Sequence, residues 1–324
     1  MSTQHDARPL LDPALLQETI ETALQSGATF AEVFVEDKRS TSAVLDDSKI
    51  EELTSGRRRG AGIRVILGET TGFAHTADLS PEGLQTAARA AAAAAQSAGN
   101  SNKSVAFASD GSMPAPVAAV MPDQVSGSQK VALLQKADQA ARGFQAAITQ
   151  VSAHYADSRR RIQIANSEGL LAGDDQVRTL FAVSCVAQGD LGRQTGRQSM
   201  GHTVGFEIFD SVDVESMALQ AAQRAYTKLS AVPAPSGEMP VVVGPGGGGV
   251  LFHEACGHGL EADIIAKSAS VFAGRRGEMV ANPMVTLVDD GTMAGEWRRS
   301  GVDDESHRAQ RHLPMEKAML PYNK

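Results

Sequence analysis

The segment Phe252-His253-Glu254-Ala255-Cys256-Gly257-His258-Gly259 places two imidazoles and a carboxylate within six residues, directly after Gly246-Gly247-Gly248-Gly249. A metal ion that hydrolyses bonds needs neutral nitrogen ligands and a nearby base to take a proton from water. His253 and His258 are the candidate metal ligands, and Glu254 is the candidate base. The His-Glu-x-x-His pattern of zinc proteases puts both histidines on one helical face; here one extra residue separates them. At about 100° per residue, a four-residue step returns to within roughly 40° of its starting face, whereas a five-residue step lands roughly 140° away. Both imidazoles reach one ion only if the helix widens into a π-type turn or breaks near Gly257, where a glycine tolerates either.

The neighbouring residues carry weaker signals. Gly244-Pro245-Gly246-Gly247-Gly248-Gly249 lacks the Gly-Lys-Ser/Thr ending of a phosphate-binding loop and has no dinucleotide fingerprint around it. It reads as a flexible loop that lets backbone pack closely against the following helix, with exposed amides able to hold a substrate backbone. Cys256 reads as a small buried hydrophobe. Glu261 and Asp263 suit either the orienting of an imidazole or plain solvation. His75 and His202, each at a strand end, read as structural, and Asp289-Asp290-Gly291 and Asp303-Asp304-Glu305 as turns.

The elements that must position this chemistry are helices and strands in clusters. Asp12 caps a first helix with Pro13 in its first turn, Leu16, Ile20, Ala23 and Leu24 as its buried stripe and Gly27 at its end. β-type stretches follow at 30–36, 41–46, 50–58, 61–67 and 71–76, then a helix from Ser80-Pro81 to about Ser97. Residues 99–126, rich in Gly, Asn, Ser and Pro, read as a linker. The order then recurs: a helix from Ser128 to Phe144, strands near 148–157, 160–166, 169–188 and 192–201, and a helix capped at Asp210 or Ser211 and running to Leu229. Two helix–multistrand–helix units, 1–98 and 127–230, suggest duplication or one composite sheet built from similar halves. Strands clustered between helices favour an α+β fold over a doubly wound parallel sheet. After Val232-Pro233-Ala234-Pro235-Ser236-Gly237, a third region, 237–324, opens with a short apolar strand at 239–243 and carries the histidine segment.

Composition excludes several classes. The chain of 324 residues has 30 basic and 38 acidic residues, so its net charge of −8 gives no global field for nucleic acid or anionic membrane. The triplets Arg57-Arg58-Arg59 and Arg159-Arg160-Arg161 read as solvated strand ends. Two cysteines make no disulfide framework. The polar N-terminus lacks an apolar signal core, and no apolar run approaches a membrane span. A soluble cytoplasmic protein is expected.

With these residues in view, the chain resembles the TldD half of the TldD/PmbA family of zinc metallopeptidases. The resemblance rests on Gly72-Phe73-Ala74, the run Val250 to Asp263, Val288-Asp289-Asp290-Gly291-Thr292, Val302-Asp303-Asp304-Glu305 and Ala309-Gln310-Arg311. It implies Zn²⁺ held by His253 and His258, Glu254 as catalytic base, and cleavage of unfolded or extended peptides inside an enclosed chamber. It also implies a PmbA/TldE-type partner subunit that lacks the zinc motif, or a homodimer. The family continues into a large C-terminal region with a cysteine as third zinc ligand, whereas this chain stops at Lys324, so a truncated or frame-shifted product is expected. Neither Cys185 nor Cys256 stands in that cysteine's motif, and Glu261, His307 and His312 are the candidate replacements. Two alternatives to a peptidase subunit follow: a catalytically incomplete assembly or peptide-binding module, and a nucleic-acid-associated modulator, which the charge disfavours.

Overall fold

A computed structural model of the chain describes residues 8–25, 27–95, 104–109, 118–190, 192–297, 299–303 and 307–320. It divides into two compact units: Met1–Ala231 with Met293–Ala309, and Val232–Thr292 with Gln310–Lys324. No described helix is long and apolar enough to cross a membrane.

The first unit is α+β, with helices on a large antiparallel sheet. Helix α1, Pro13–Leu24, starts where the Asp12 side chain accepts from the Ala14 amide, and Gly27 follows it at φ +87°. Strands β1 (Phe30–Asp46), β2 (Lys49–Leu67) and β3 (Thr70–Thr76) lead into α2, Pro81–Ala94, capped by Ser80. Helix α3, Gly127–Phe144, opens with a capping box between Ser126 and Gln129. Strands β4 (Ile148–Asn166), β5 (Leu171–Gly189) and β6 (Gly192–His202) precede α4, Val214–Lys228. The α4 cap is Asp213 rather than Asp210 or Ser211, because Phe206–Asp210 is taken up in a 3₁₀ turn. Of the expected linker, residues 99–103 and 110–117 lie outside the described residues, as does the expected helix end at Ser97. Val105, between those segments, is buried, and its amide donates to Glu21.

All six strands form one sheet in the order β3-β2-β1-β4-β5-β6. The separate strands expected at 30–36 and 41–46, 50–58 and 61–67, and 148–157 and 160–166 are three continuous ones. The charged residues between them did not break the strands; they form cross-strand rows. Arg39 stands opposite both Arg57 and Arg159, and Lys38 opposite both Arg58 and Arg160. The arginine triplets are therefore in mid-strand, not at strand ends. Acidic neighbours offset them: Arg57 forks onto Asp37, Arg159 onto the fully buried carboxylate of Asp175, and Arg160 bonds Glu36. Fork geometry gives two parallel charge-assisted bonds, which is why arginine rather than lysine suits these rows.

Two apolar cores lie on one face of the sheet, one on either side of this charged middle. The first joins Leu16, Ile20, Leu84 and Ala88 of α1 and α2 to Val33, Val35, Ile63 and Val65. The second joins Leu134, Ala137, Ala218 and Ala222 of α3 and α4 to Tyr155, Phe181 and Val183, and also takes Ala43 and Leu45 from β1. The two halves repeat a close contact. A Cβ placed on Gly72 of β3 would stand 2.0 Å from the Ala91 carbonyl oxygen and 2.5 Å from the Ala95 nitrogen of the α2 end. A Cβ on Gly196 of β6 would meet the Ala221 oxygen and Ala225 nitrogen of α4 at the same two distances. Each glycine lets a helix backbone lie directly on a strand, a feature that supports duplication more firmly than residue identities do. The other sheet face is covered in part by the returning segment 293–303. There Val302 packs on Ile162 and Ile164, the Gly301 amide donates to Asp174, and Trp297 lies over Gly201.

The second unit has short elements: α5 (Gly247–Phe252), α6 (Ala262–Ala266) and a two-stranded sheet of β7 (Leu287–Asp290) and β8 (Arg311–Met315). Residues 239–243 are not the expected strand. Val241 and Val242 are 74% and 98% exposed, and without a sheet to join, an apolar run of five has no partner for its backbone.

Candidate metal centre

Gly246, at φ +86°, turns the chain into α5, and Gly247 to Gly249 form that helix's first turn. The glycine run is therefore mostly helical. Close packing does not explain it either, since nothing stands within 4 Å of a Cβ built on Gly244, Gly246, Gly247 or Gly249. The helix then changes pitch at the histidine segment. His253–Gly257 is a π-helical turn, closed by the His258 amide donating to the His253 carbonyl, and His258–Leu260 continues as a 3₁₀ turn. A five-residue hydrogen-bonded turn sets residues five apart over one another, the widening the spacing demands. Gly257 itself is ordinary right-handed helix, φ −56° and ψ −54°. Space does not demand glycine there either, since a Cβ would stand 3.6 Å from the His253 imidazole, an ordinary contact.

The imidazoles of His253 and His258 end with ring centroids 4.5 Å apart, inclined at 68°. One donor atom from each of His253, Glu254 and His258 lies within 4.8 Å of the others, the one such group of metal-binding residue types among the described residues. Tetrahedral zinc with bonds of about 2.05 Å holds its nitrogen ligands about 3.3 Å apart, so closure requires shifts of no more than about 1.5 Å. The side chains have that freedom, with Glu254 66% and His258 54% exposed. The donor set therefore fits a divalent ion of intermediate softness, the class to which imidazole and carboxylate ligands belong.

Glu261 orients His258. Its Oε1 lies 2.8 Å from His258 Nδ1, which leaves Nε2 of that ring toward Glu254 Oε2, 3.7 Å away. The hydrogen bond to Glu261, then its charge, then that of Glu254, raise the pKa of His258 above the ordinary imidazole value. A carboxylate behind a metal-binding imidazole fixes both its tautomer and its direction. Asp263, the other acid proposed for this part, instead pairs with Lys267 at 3.6 Å. Cys256 is half-buried rather than buried. Of the remaining replacements, His307 lies 3.8 Å from Asp303 and His312 sits on β8 opposite Asp289. His75 stacks on Phe73, and His202 Nδ1 contacts the Gly295 carbonyl, as structural residues do. Asp290 caps the turn at Thr292, whereas Asp304 and Glu305 lie outside the described residues.

Models of three domains of one family match the chain: PmbA/TldA metallopeptidase domain 1 over residues 31–95, the central domain over 121–229 and the C-terminal domain over 236–317. A Haemophilus influenzae protein named metalloprotease TldD homolog is 34% identical over 298 residues, a match covering 90% of this chain and 62% of the relative. The chain thus spans less than two thirds of that relative's length. Two solved structures share the fold. A protein described as a modulator of a DNA gyrase, from Thermotoga maritima, superposes with a TM-score of 0.76 and 18% identity, over 95% of this chain and 69% of its own. TldE from Thermococcus kodakarensis superposes with a TM-score of 0.75 and 19% identity, also over 95% and 69%.

Proposed function

The chain belongs to the PmbA/TldD metallopeptidase family, and from that premise we propose that it is the zinc-bearing, TldD-type subunit of a cytoplasmic peptidase acting on unfolded or extended polypeptides. The observation that carries the reading is the π-turn that brings the His253 and His258 rings to 4.5 Å, edge to face, beside Glu254. His253 and His258 Nε2 would hold the ion, with Glu261 keeping the second ring in place. When bound, zinc supplies Lewis acidity toward a peptide carbonyl and toward water. Glu254 takes the proton of the attacking water on a carboxylate oxygen and returns it to the leaving amine. Glu254 is next in sequence to one imidazole and 3.7 Å from the other, which puts its carboxylate beside the ion those rings would hold. The partner would be a PmbA/TldE-type subunit or a second copy.

The rival reading is a catalytically incomplete assembly or peptide-binding module. It rests on the ligand count, since a catalytic zinc takes three protein ligands and the described cluster has two imidazoles. Metal analysis of the purified chain together with a casein-cleavage assay separates the two. One zinc per chain with cleavage supports the peptidase, and substoichiometric zinc without cleavage supports the module. A gyrase-modulator role has in its favour structural neighbours of 17% and 18% identity, a likeness that shows the fold alone.

A further inference from the structure

The charged middle of the sheet is unevenly paired on the face that carries the helices. Residues directly opposite one another in an antiparallel sheet share a face, and like charges set opposite disfavour the pairing. Arg39 alternates in step with Val33 and Val35 of the first apolar core. It stands between Arg57 of β2 and Arg159 of β4, so three guanidinium groups rise side by side from that face. The next row on the same face is Arg59, Asp37, Arg161 and Asp175. Its carboxylates take up the outer arginines of the first row, Asp37 forking with Arg57 and Asp175 with Arg159. Asp37 serves more than one cation: the Arg57 hydrogen bonds, then the charges of Arg57, Arg39 and Arg59, hold its carboxyl below the ordinary range.

The middle arginine is answered from outside the sheet. Asp123, in the 3₁₀ turn Pro122–Gln124, lies 3.2 Å from Arg39 Nη1. The Arg39 side chain is 52% exposed and that of Asp123 34%, and an ion pair so open to water is worth little. With Lys130 and its partner Asp157 included, these rows and the turn hold six cations against four carboxylates. That is a local surplus of two positive charges on a chain whose net charge is −8.

The surplus faces a cavity. Arg39, Arg57, Arg159 and Lys130 line a space of about 520 Å³ inside the first unit, against the two carboxylates Asp123 and Asp157. The volume is that of small-molecule sites, which pair an apolar wall with a few convergent polar groups. Leu53, Pro122 and Val125 supply such a wall. The fork of Arg57 onto Asp37 uses Nε and Nη2, which turns Nη1 away from that carboxylate. Guanidinium groups match carboxylate and phosphate oxygens two at a time. We infer that this cavity binds a small anion bearing carboxylate or phosphate groups, with Arg39 as its central ligand and Asp123 as the carboxylate that the anion displaces. The site lies wholly in the first unit, so it stands or falls independently of the metal centre.

The experiment is isothermal titration calorimetry of the full chain with inorganic phosphate and, separately, with succinate, at constant ionic strength. One anion per chain should bind in at least one titration. Phosphate alone assigns a phosphorylated ligand, succinate alone a dicarboxylate, and both a site open to either group. Arg39→Gln should weaken binding about tenfold or more, the loss expected of a charge-assisted bond. Asp123→Asn should strengthen it about threefold, because a competing carboxylate paired at the surface is gone. A purely structural Arg39–Asp123 pair would not give opposite signs. Arg58→Gln, on the other face of β2, should leave binding unchanged, as should His253→Ala with His258→Ala, which removes the candidate metal ligands. Circular dichroism of each variant without anion confirms that it folds. No saturable binding of either anion, equal binding by Arg39→Gln, weaker binding by Asp123→Asn, or loss of binding in either control would each overturn the inference.

Discussion

Replacing Gly72 or Gly196 by alanine tests the packing on which the sheet depends. At each position the new methyl would meet a helix carbonyl oxygen at 2.0 Å and a helix nitrogen at 2.5 Å. Moving the oxygen out to an ordinary contact of about 3.4 Å displaces the helix backbone by about 1.4 Å, because no flexible side chain is there to yield. Overpacking of this kind costs about 1–3 kcal/mol, and a backbone-against-backbone clash belongs at the upper end. At about 3 kcal/mol, a domain of this size should melt roughly 6–12 °C lower. Since the distances match, the two variants should lose similar amounts. Gly143→Ala is the control. It lies in α3 with nothing within 4 Å of its added methyl, and alanine is favoured there by about 0.5–1 kcal/mol, so melting should rise slightly. Thermal unfolding followed by circular dichroism reads all three. If either strand variant melts within about 2 °C of the parent, the close approach of helix to strand is not what those glycines serve.

Four further outcomes follow from the site and its surroundings. Glu254→Gln should abolish peptide hydrolysis while leaving bound zinc unchanged by elemental analysis; retained turnover would remove Glu254 from the reaction. Glu261→Ala should weaken zinc binding about tenfold in a chelator competition, the lower end for such orienting carboxylates because this one is half exposed. In the zinc-free chain, imidazole resonances should show His258 titrating above and His154 below the ordinary value, as Glu261 raises the first and burial lowers the second. A base with a depressed folded pKa is more protonated unfolded, so His154 contributes stability at neutral pH that starts to fall below the unfolded value of about 6.5 and is lost as pH falls through its lower folded value; His154→Gln should flatten that dependence in urea melts. Lys130→Ala should destabilise the fold by about 3–5 kcal/mol, because it strands Asp157, whose side chain is 5% exposed and bonded to Lys130 at 2.5 Å.

Much of this arrangement was legible in the sequence, for physical reasons that differ by element. Helix starts at Asp12 and Ser80 carry side chains able to satisfy orphan amides, and the structure uses both, whereas the helix expected from Ser128 begins at Gly127 with Ser126 as its cap. The insertion between His253 and His258 requires a π-type turn or a break near Gly257 if the rings are to meet, and of the two the structure has the turn. Strand length was hidden because hydrophobic alternation stops wherever charges pair across strands, as Arg57 does with Asp37, and such pairing is nonlocal. The second unit misled in the opposite sense. Val241 to Val243 have the composition of a strand, but composition cannot say whether a sheet is there to receive it. The role of Glu261 was open between two readings because three residues of separation fix proximity to His258 but not direction.

The membership of β1 in both apolar clusters has a consequence for how the repeated halves can exist apart. Ala31, Val33 and Val35 complete one cluster, while Ala43 and Leu45, further along the same strand, complete the other. A fragment carrying only α3 to α4 would lack two of its buried aliphatic side chains and leave β4 with one flank bare. Ancestral duplication, if it built this sheet, has since made the copies interdependent: cleavage of the chain between α2 and α3 should leave the pieces associated, and neither should refold alone.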